Sequence, residues 1–103
     1  MSPESLIDKL PGLDPNGRAL IERAYRKAEH EHKDQHRKSG EPYFTHCFEA
    51  ASILADMRLD AETIAAALMH DIVEDTDIEL EELEQEFGPA IAKMVDGVTK
   101  MAK

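Results

Sequence analysis

The residues best equipped for chemistry stand together in Ala65-Ala66-Ala67-Leu68-Met69-His70-Asp71-Ile72-Val73-Glu74-Asp75-Thr76. An apolar, alanine-rich helix runs into an adjacent His-Asp pair, and a Glu-Asp pair follows one turn later. His70 offers an imidazole nitrogen and Asp71 a carboxylate oxygen, a mixed donor set that suits a divalent transition metal. Adjacent helical residues point about 100° apart, so both reach one ion only where it sits near the helix end. Glu74 and Asp75 lie at +4 from that pair, on the same faces if the helix continues. Two ligand types with two spare carboxylates suit an activated water that has a base beside it. A plain helix C-terminus with a capping histidine and solvated acids accounts for the same dipeptide. This stretch alone leaves both readings open.

A metal site needs further donors, and the chain before it is read for elements that bring them. Asp60 with Thr63 caps the helix that carries His70-Asp71, and its consecutive alanines permit close packing against neighbours. The preceding helix opens near His46, with Phe48, Ala51, Ile53, Leu54 and Met57 as its expected core residues. Between Arg37 and Tyr43 lies the one clear loop, broken by Gly40 and Pro42, and it holds the densest positive charge of the chain. Arg grips phosphates or stacks on planar bases and Lys adds a point charge, although a surface turn with solvated cations reads the same way locally.

Ser2-Pro3-Glu4 starts a short first helix, which with its lead-in occupies residues 1–13, and Asp14-Pro15 starts a longer one. Leu20 or Ile21, then Ala24, Tyr25 and Ala28, form the longer helix's buried stripe. His30, His32 and His36 follow in a polar stretch that reads as a solvated helix end, with a metal-binding tract as the lesser alternative. Beyond Thr76, Leu80, Leu83 and Phe87 mark an acidic helix that Gly88 stops, and Pro89 starts a last one with Ile91, Met94, Val95 and Val98. No run alternates with period two, so the expected class is all-α, with about six helices.

Composition limits the function classes. With 103 residues the chain suits one small domain, and 42% hydrophobic content against 33% charged content makes it globular. Its formal charge of −10 argues against nucleic-acid binding, which needs a basic face. Eight of the 22 acidic residues fall between Glu74 and Glu86, so the imbalance is local. A single cysteine, Cys47, excludes an internal disulfide. No signal peptide or membrane span is visible, and a cytoplasmic location is the default expectation.

RKSGEPY at Arg37–Tyr43, then His46, then HDIVEDT at His70–Thr76, Phe87-Gly88 and VDGVTK at Val95–Lys100 resemble a known family in this order and spacing. The chain is similar, over about residues 18 to 103, to the N-terminal hydrolase domain of the RelA/SpoT enzymes, which make and degrade (p)ppGpp. Those domains belong to the HD metal-dependent phosphohydrolases. The resemblance implies an HD-domain-like helical bundle over residues 1–103. It implies His46, His70 and Asp71 as metal ligands, usually for manganese, with Glu74 and Asp75 handling the attacking water. It further implies that Arg37, Lys38 and Ser39 contact the guanine nucleotide. The implied reaction is hydrolysis of the 3′-diphosphate to give pyrophosphate and GDP or GTP, in stringent-response control. The alternative is a non-catalytic binding or regulatory module of a (p)ppGpp synthetase.

The sequence departs from the pattern in places. The family's fourth ligand is an aspartate on a later helix, in a segment resembling K-L-A-D-R that does not occur here. The chain therefore reads as part of a longer domain whose C-terminal helices are missing, and activity is expected of the longer chain, not of these residues alone. Self-association through an uncovered last helix is expected, with Met94, Val95 and Val98 exposed. Cys47 stands where a proline usually follows the metal histidine, Asp34 where glycine is common, and Glu79 where threonine usually caps a helix.

Overall fold

Three helix starts in this chain are fixed by side chains that satisfy backbone N–H groups a first turn leaves over. Ser2 accepts from the Ser5 N–H at 3.2 Å, Asp14 from Gly17 at 2.7 Å and Asp60 from Thr63 at 3.1 Å. In the computed structural model, which describes residues 1–101 and the side chains of residues 1–98, seven helical segments follow. They are α1 (Pro3–Ile7), α2 (Pro15–Glu31), α3 (Tyr43–Asp56), α4 (Ala61–Met69), α5 (Ile72–Asp75), α6 (Leu80–Phe87) and α7 (Pro89–Met101). The expected all-α bundle is what forms: among the described residues the only extended pairing is an isolated bridge between His36 and Pro42. Gly88, at φ 93°, ends α6 and lets Pro89 open α7 without an intervening loop. The side chains of Thr99 and Lys100 in the expected VDGVTK motif lie outside the described residues, as does the domain's expected end at residue 103.

The core is built around α4, whose Ile64 to Met69 are all buried. Ile21, Ala24, Tyr25 and Ala28 of α2 cover one side, and Phe44, Cys47, Ala51 and Ala55 of α3 another. Tyr25 meets Phe44 edge-on at 4.9 Å, joining α2 to α3. Gly17 sets how near α2 comes to α4, because a Cβ there would stand 2.6 Å from Leu13 Cδ1 and 3.2 Å from Ala61 Cβ.

Two expectations about the core are corrected. Ile53 and Met57, read as core, are 60% and 64% exposed, because α3 buries the face through residues 44, 47, 51 and 55. Val95, expected on an uncovered face, is fully buried, whereas Met94 is half-buried and Val98 exposed.

α4 does not continue through the His-Asp pair. Its last inward contact, His70 N–H to the Ala67 carbonyl, is stretched to 3.5 Å, and the chain restarts as the single turn α5 with Asp75 N–H on the Asp71 carbonyl at 2.9 Å. Glu74 and Asp75 thus belong to a separate turn, not to the same faces of a continuing helix.

Candidate metal centre

His46 lies in the first turn of α3, while His70 caps the C-terminus of α4 and Asp71 opens α5. Packing of α3 against α4 brings them together: one donor atom from each lies within 4.8 Å of the other two. The His46 and His70 rings stand 6.5 Å apart, and Asp71 is 9% exposed. His70 and Asp71 keep right-handed helical backbone angles, so they share one donor group because they stand at the end of α4, where its ladder of hydrogen bonds stops.

Hydrogen bonding decides what this cluster can hold. His70 Nδ1 lies 2.6 Å from the Ala67 carbonyl oxygen, which only accepts, so Nδ1 carries the proton. In the neutral ring the Nε2 lone pair is then turned toward Asp71 Oδ2, 3.1 Å away. Two electron-pair donors at that distance need a cation between or beside them, either a proton on His70 or a metal ion. Octahedral ligand atoms at about 2.1 Å from an ion lie about 3 Å from each other, so the spacing fits a shared ion. A ring N–H held by a carbonyl is also the usual outer support of a metal-binding histidine. The residues therefore fit a divalent metal.

Charge follows the same pairing. The hydrogen bond with Asp71 raises the His70 pKa against the opposing effect of burial, and the Ala67 carbonyl adds to the rise. Burial pushes the Asp71 carboxyl upward, but the hydrogen bond with His70 and that from Tyr43 outweigh it, and the carboxyl ends below its usual range. Beside them, burial pushes the Cys47 thiol up to about 12, reinforced by the Asp71 and Asp75 charges.

Three residues that local sequence patterns did not single out support the cluster. Tyr43, at the start of α3, donates its hydroxyl to Asp71 Oδ2 at 2.9 Å. Gln35 donates through its side-chain amide to the Asp75 main-chain carbonyl. His32, read as part of a solvated helix end, is instead fully buried, with Nδ1 2.8 Å from Gln35 Oε1 and its ring 5.1 Å from that of Tyr43. The available signal was spacing: His32 follows Ala28 by one helical turn and extends the stripe from Ile21 through Ala24, Tyr25 and Ala28. His30 and His36 are exposed as expected. Among the described residues, His32 Nε2 is the one buried side-chain polar atom without a hydrogen-bond partner. Such an atom costs about 1–3 kcal/mol.

Glu74 and Asp75 are exposed and lie outside the three-residue donor group. Arg37, Lys38 and Ser39 are also outside it. They line an open hollow with His36, Glu41 and Tyr43, shaped by the Arg37 N–H to Glu41 carbonyl and Gly40 N–H to Arg37 carbonyl bonds, both 2.8 Å. Tyr43 forms the common wall between this basic hollow and the donor group.

The HD-domain family profile matches residues 24–103. Guanosine-3′,5′-bis(diphosphate) 3′-pyrophosphohydrolase of Aquifex aeolicus is 46% identical over 103 residues, 100% of this chain and 15% of that protein. The enzyme of the same name from Vibrio cholerae is 48% identical over 83 residues, 81% of this chain and 12% of its own length. GTP pyrophosphokinase rsh of Brucella melitensis is 46% identical over 99 residues, 95% of this chain and 13% of that protein. The chain thus spans a small part of each of these relatives. It belongs to the HD-domain family, in the branch formed by the RelA/SpoT-type enzymes.

Proposed function

We propose that this domain forms the hydrolase site for guanosine 3′,5′-bis(diphosphate) and its pentaphosphate counterpart, removing the 3′-diphosphate to leave GDP or GTP and pyrophosphate. The observation that carries the reading is the convergence of His46, His70 and Asp71 beside both an acidic turn and a basic hollow, with Tyr43 touching each. Two of the relatives described above are named for this hydrolysis, and the remaining one for nucleotide pyrophosphoryl transfer.

In this reading His46, His70 and Asp71 hold Mn2+, to which their mixed nitrogen and oxygen donors are suited. When bound, the ion supplies positive charge at the phosphoryl oxygens and lowers the pKa of a water. Arg37 and Lys38, with Ser39, bind the nucleotide from the basic hollow and aim its 3′-diphosphate at the donor group. Asp75, with Glu74 beside it, accepts the proton of the water that attacks the phosphorus bonded to the 3′ oxygen. The P–O3′ bond breaks, the 3′ oxygen takes up a proton, and pyrophosphate departs. Tyr43 keeps the Asp71 carboxylate from rotating throughout.

The same reading places the protein in the cytoplasm, where guanine nucleotides are found. No helix among the described residues is long and apolar enough to cross a membrane. It also includes self-association across the apolar groove that Ile53, Leu54, Met94 and Val98 form beside His70.

The test is turnover of guanosine 3′,5′-bis(diphosphate) by the full-length gene product with Mn2+, followed by anion-exchange chromatography. Equal release of GDP and pyrophosphate, abolished by His70→Ala and by EDTA, is expected. Tight nucleotide binding with no product, unchanged in His70→Ala, would instead establish the non-catalytic regulatory module.

A further inference from the structure

We propose that His32 and Gln35 form a positioning strut that holds the acidic turn α5 in register with the basic hollow. The hydrogen bonds allow one arrangement of protons. The Asp75 main-chain carbonyl only accepts, so the Gln35 amide nitrogen must face it and Gln35 Oε1 must face His32. His32 Nδ1 therefore carries the ring proton, and the amide orientation and the imidazole tautomer fix each other. At the other end, the Gln35 main chain joins the hollow: its carbonyl accepts the Tyr43 N–H at 2.8 Å, and its N–H donates to the His32 carbonyl at 3.0 Å. One residue thus ties the end of α2, the start of α3 and the turn bearing Glu74 and Asp75. The His32 ring also backs the Tyr43 ring, whose hydroxyl holds Asp71.

Fold stability alone does not account for a histidine here. The ring is fully buried and its Nε2 makes no hydrogen bond, so an apolar side chain of similar size would suit the core better. Local rules are broken in this way where function requires it. What the histidine adds is one directed N–H, aimed at Gln35. This inference rests on the proposed reaction, because Asp75 matters as a proton acceptor only there. The strut itself is a property of the chain and is measurable without substrate.

The experiment uses three variants. His32→Leu removes the N–H while filling the space, Gln35→Met breaks the strut at its half-buried second joint, and His32→Asn keeps a donor near Nδ1. Two-bond 15N–1H spectra of the wild-type chain are expected to show His32 protonated on Nδ1 and bare on Nε2. Backbone order parameters at Asp75 and Thr76 should lie near the rigid value of about 0.85, falling below about 0.6 in His32→Leu and Gln35→Met and recovering in His32→Asn. Melting temperature should stay level or rise in His32→Leu. In the full-length gene product, kcat should fall at least tenfold in His32→Leu and Gln35→Met with KM within twofold. The opposite tautomer, or unchanged order at Asp75 in Gln35→Met, would overturn the strut. Loosened order with unchanged kcat would overturn its positioning role. A wild-type product without turnover counts against the proposed reaction, while tautomer and order still decide the strut.

Discussion

The Tyr43 hydroxyl donates to Asp71 Oδ2 at 2.9 Å, across 28 residues of sequence, and so orients the single carboxylate of the donor group. Outer hydrogen bonds of this kind are worth about 10–100-fold in metal affinity. Tyr43→Phe keeps the ring between His32 and His46 and loses only the hydroxyl. Mn2+ affinity, followed by loss of the free-ion electron paramagnetic resonance signal, should fall within that range. Folding stability should change by less than about 1.5 kcal/mol. Unaltered affinity would remove Tyr43 from the metal centre.

The pH dependence should reverse sign with metal. Binding requires a neutral imidazole, and the Asp71 hydrogen bond raises the His70 pKa above its ordinary value of about 6.5. Mn2+ affinity should therefore fall as pH drops below that raised pKa, about tenfold per pH unit for each imidazole ligand that must lose a proton. In the metal-free chain the raised pKa stabilises the fold fully below about 6.5, and that contribution is lost as pH rises through the folded value. Asp71 is ionised throughout this window, so its lowered pKa contributes equally at both ends. Melting between pH 6 and 8 should show the EDTA-treated chain losing stability and the Mn2+-saturated chain gaining it.

Arg37 is exposed in the basic hollow and stands outside the donor group. Arg37→Ala in the full-length gene product should raise KM for guanosine 3′,5′-bis(diphosphate) about 10–100-fold, the loss expected for a charge-assisted hydrogen bond of roughly 1.5–3 kcal/mol. Manganese content by elemental analysis should be unchanged. Loss of metal would mean that the loop supports the site structurally.

Cys47 follows a proposed metal ligand, yet its thiol is fully buried and pushed up to about 12. Thiolate is the reactive form, so the native chain at pH 8 should resist aromatic disulfide reagents. In denaturing urea one thiol per chain should react promptly, in accord with the single cysteine. Rapid labelling of folded protein would show that the start of α3 opens.

Ile53 and Val98 are exposed and line the apolar groove beside His70. Sedimentation at increasing concentration should reveal self-association, weakened by Ile53→Glu or Val98→Glu without loss of helicity. A monomer at all concentrations would exclude this face as a contact between copies.

Much of the fold was legible because its boundaries rest on local chemistry. Asp14 and Asp60 accept from N–H groups three residues on, and Gly88 permits a positive φ, so each signal lies beside its effect. Face assignment in α3 was less legible, since apolar residues occur on more than one side and periodicity does not say which side α4 covers. The joining of His46 to His70 and Asp71 was readable only through the family resemblance. Tyr43 and Gln35 escaped for a physical reason: their partners lie 28 and 40 residues away, and such bonds leave no local pattern.

The interruption between Met69 and Ile72 has a consequence for protein engineering. The donor pair is a property of a chain end within a helix, so it cannot be transplanted as two positions on an uninterrupted helical surface. A graft must carry the Ala67 carbonyl, the stretched turn and the restart at Ile72 as one cassette. Substitutions that raise helical propensity across residues 70–72 would extend the hydrogen-bond ladder of α4 and draw a backbone N–H onto the Ala67 carbonyl that holds His70 Nδ1. Such variants would be better helices and poorer chelators, a trade that a stability screen alone would select in the wrong direction.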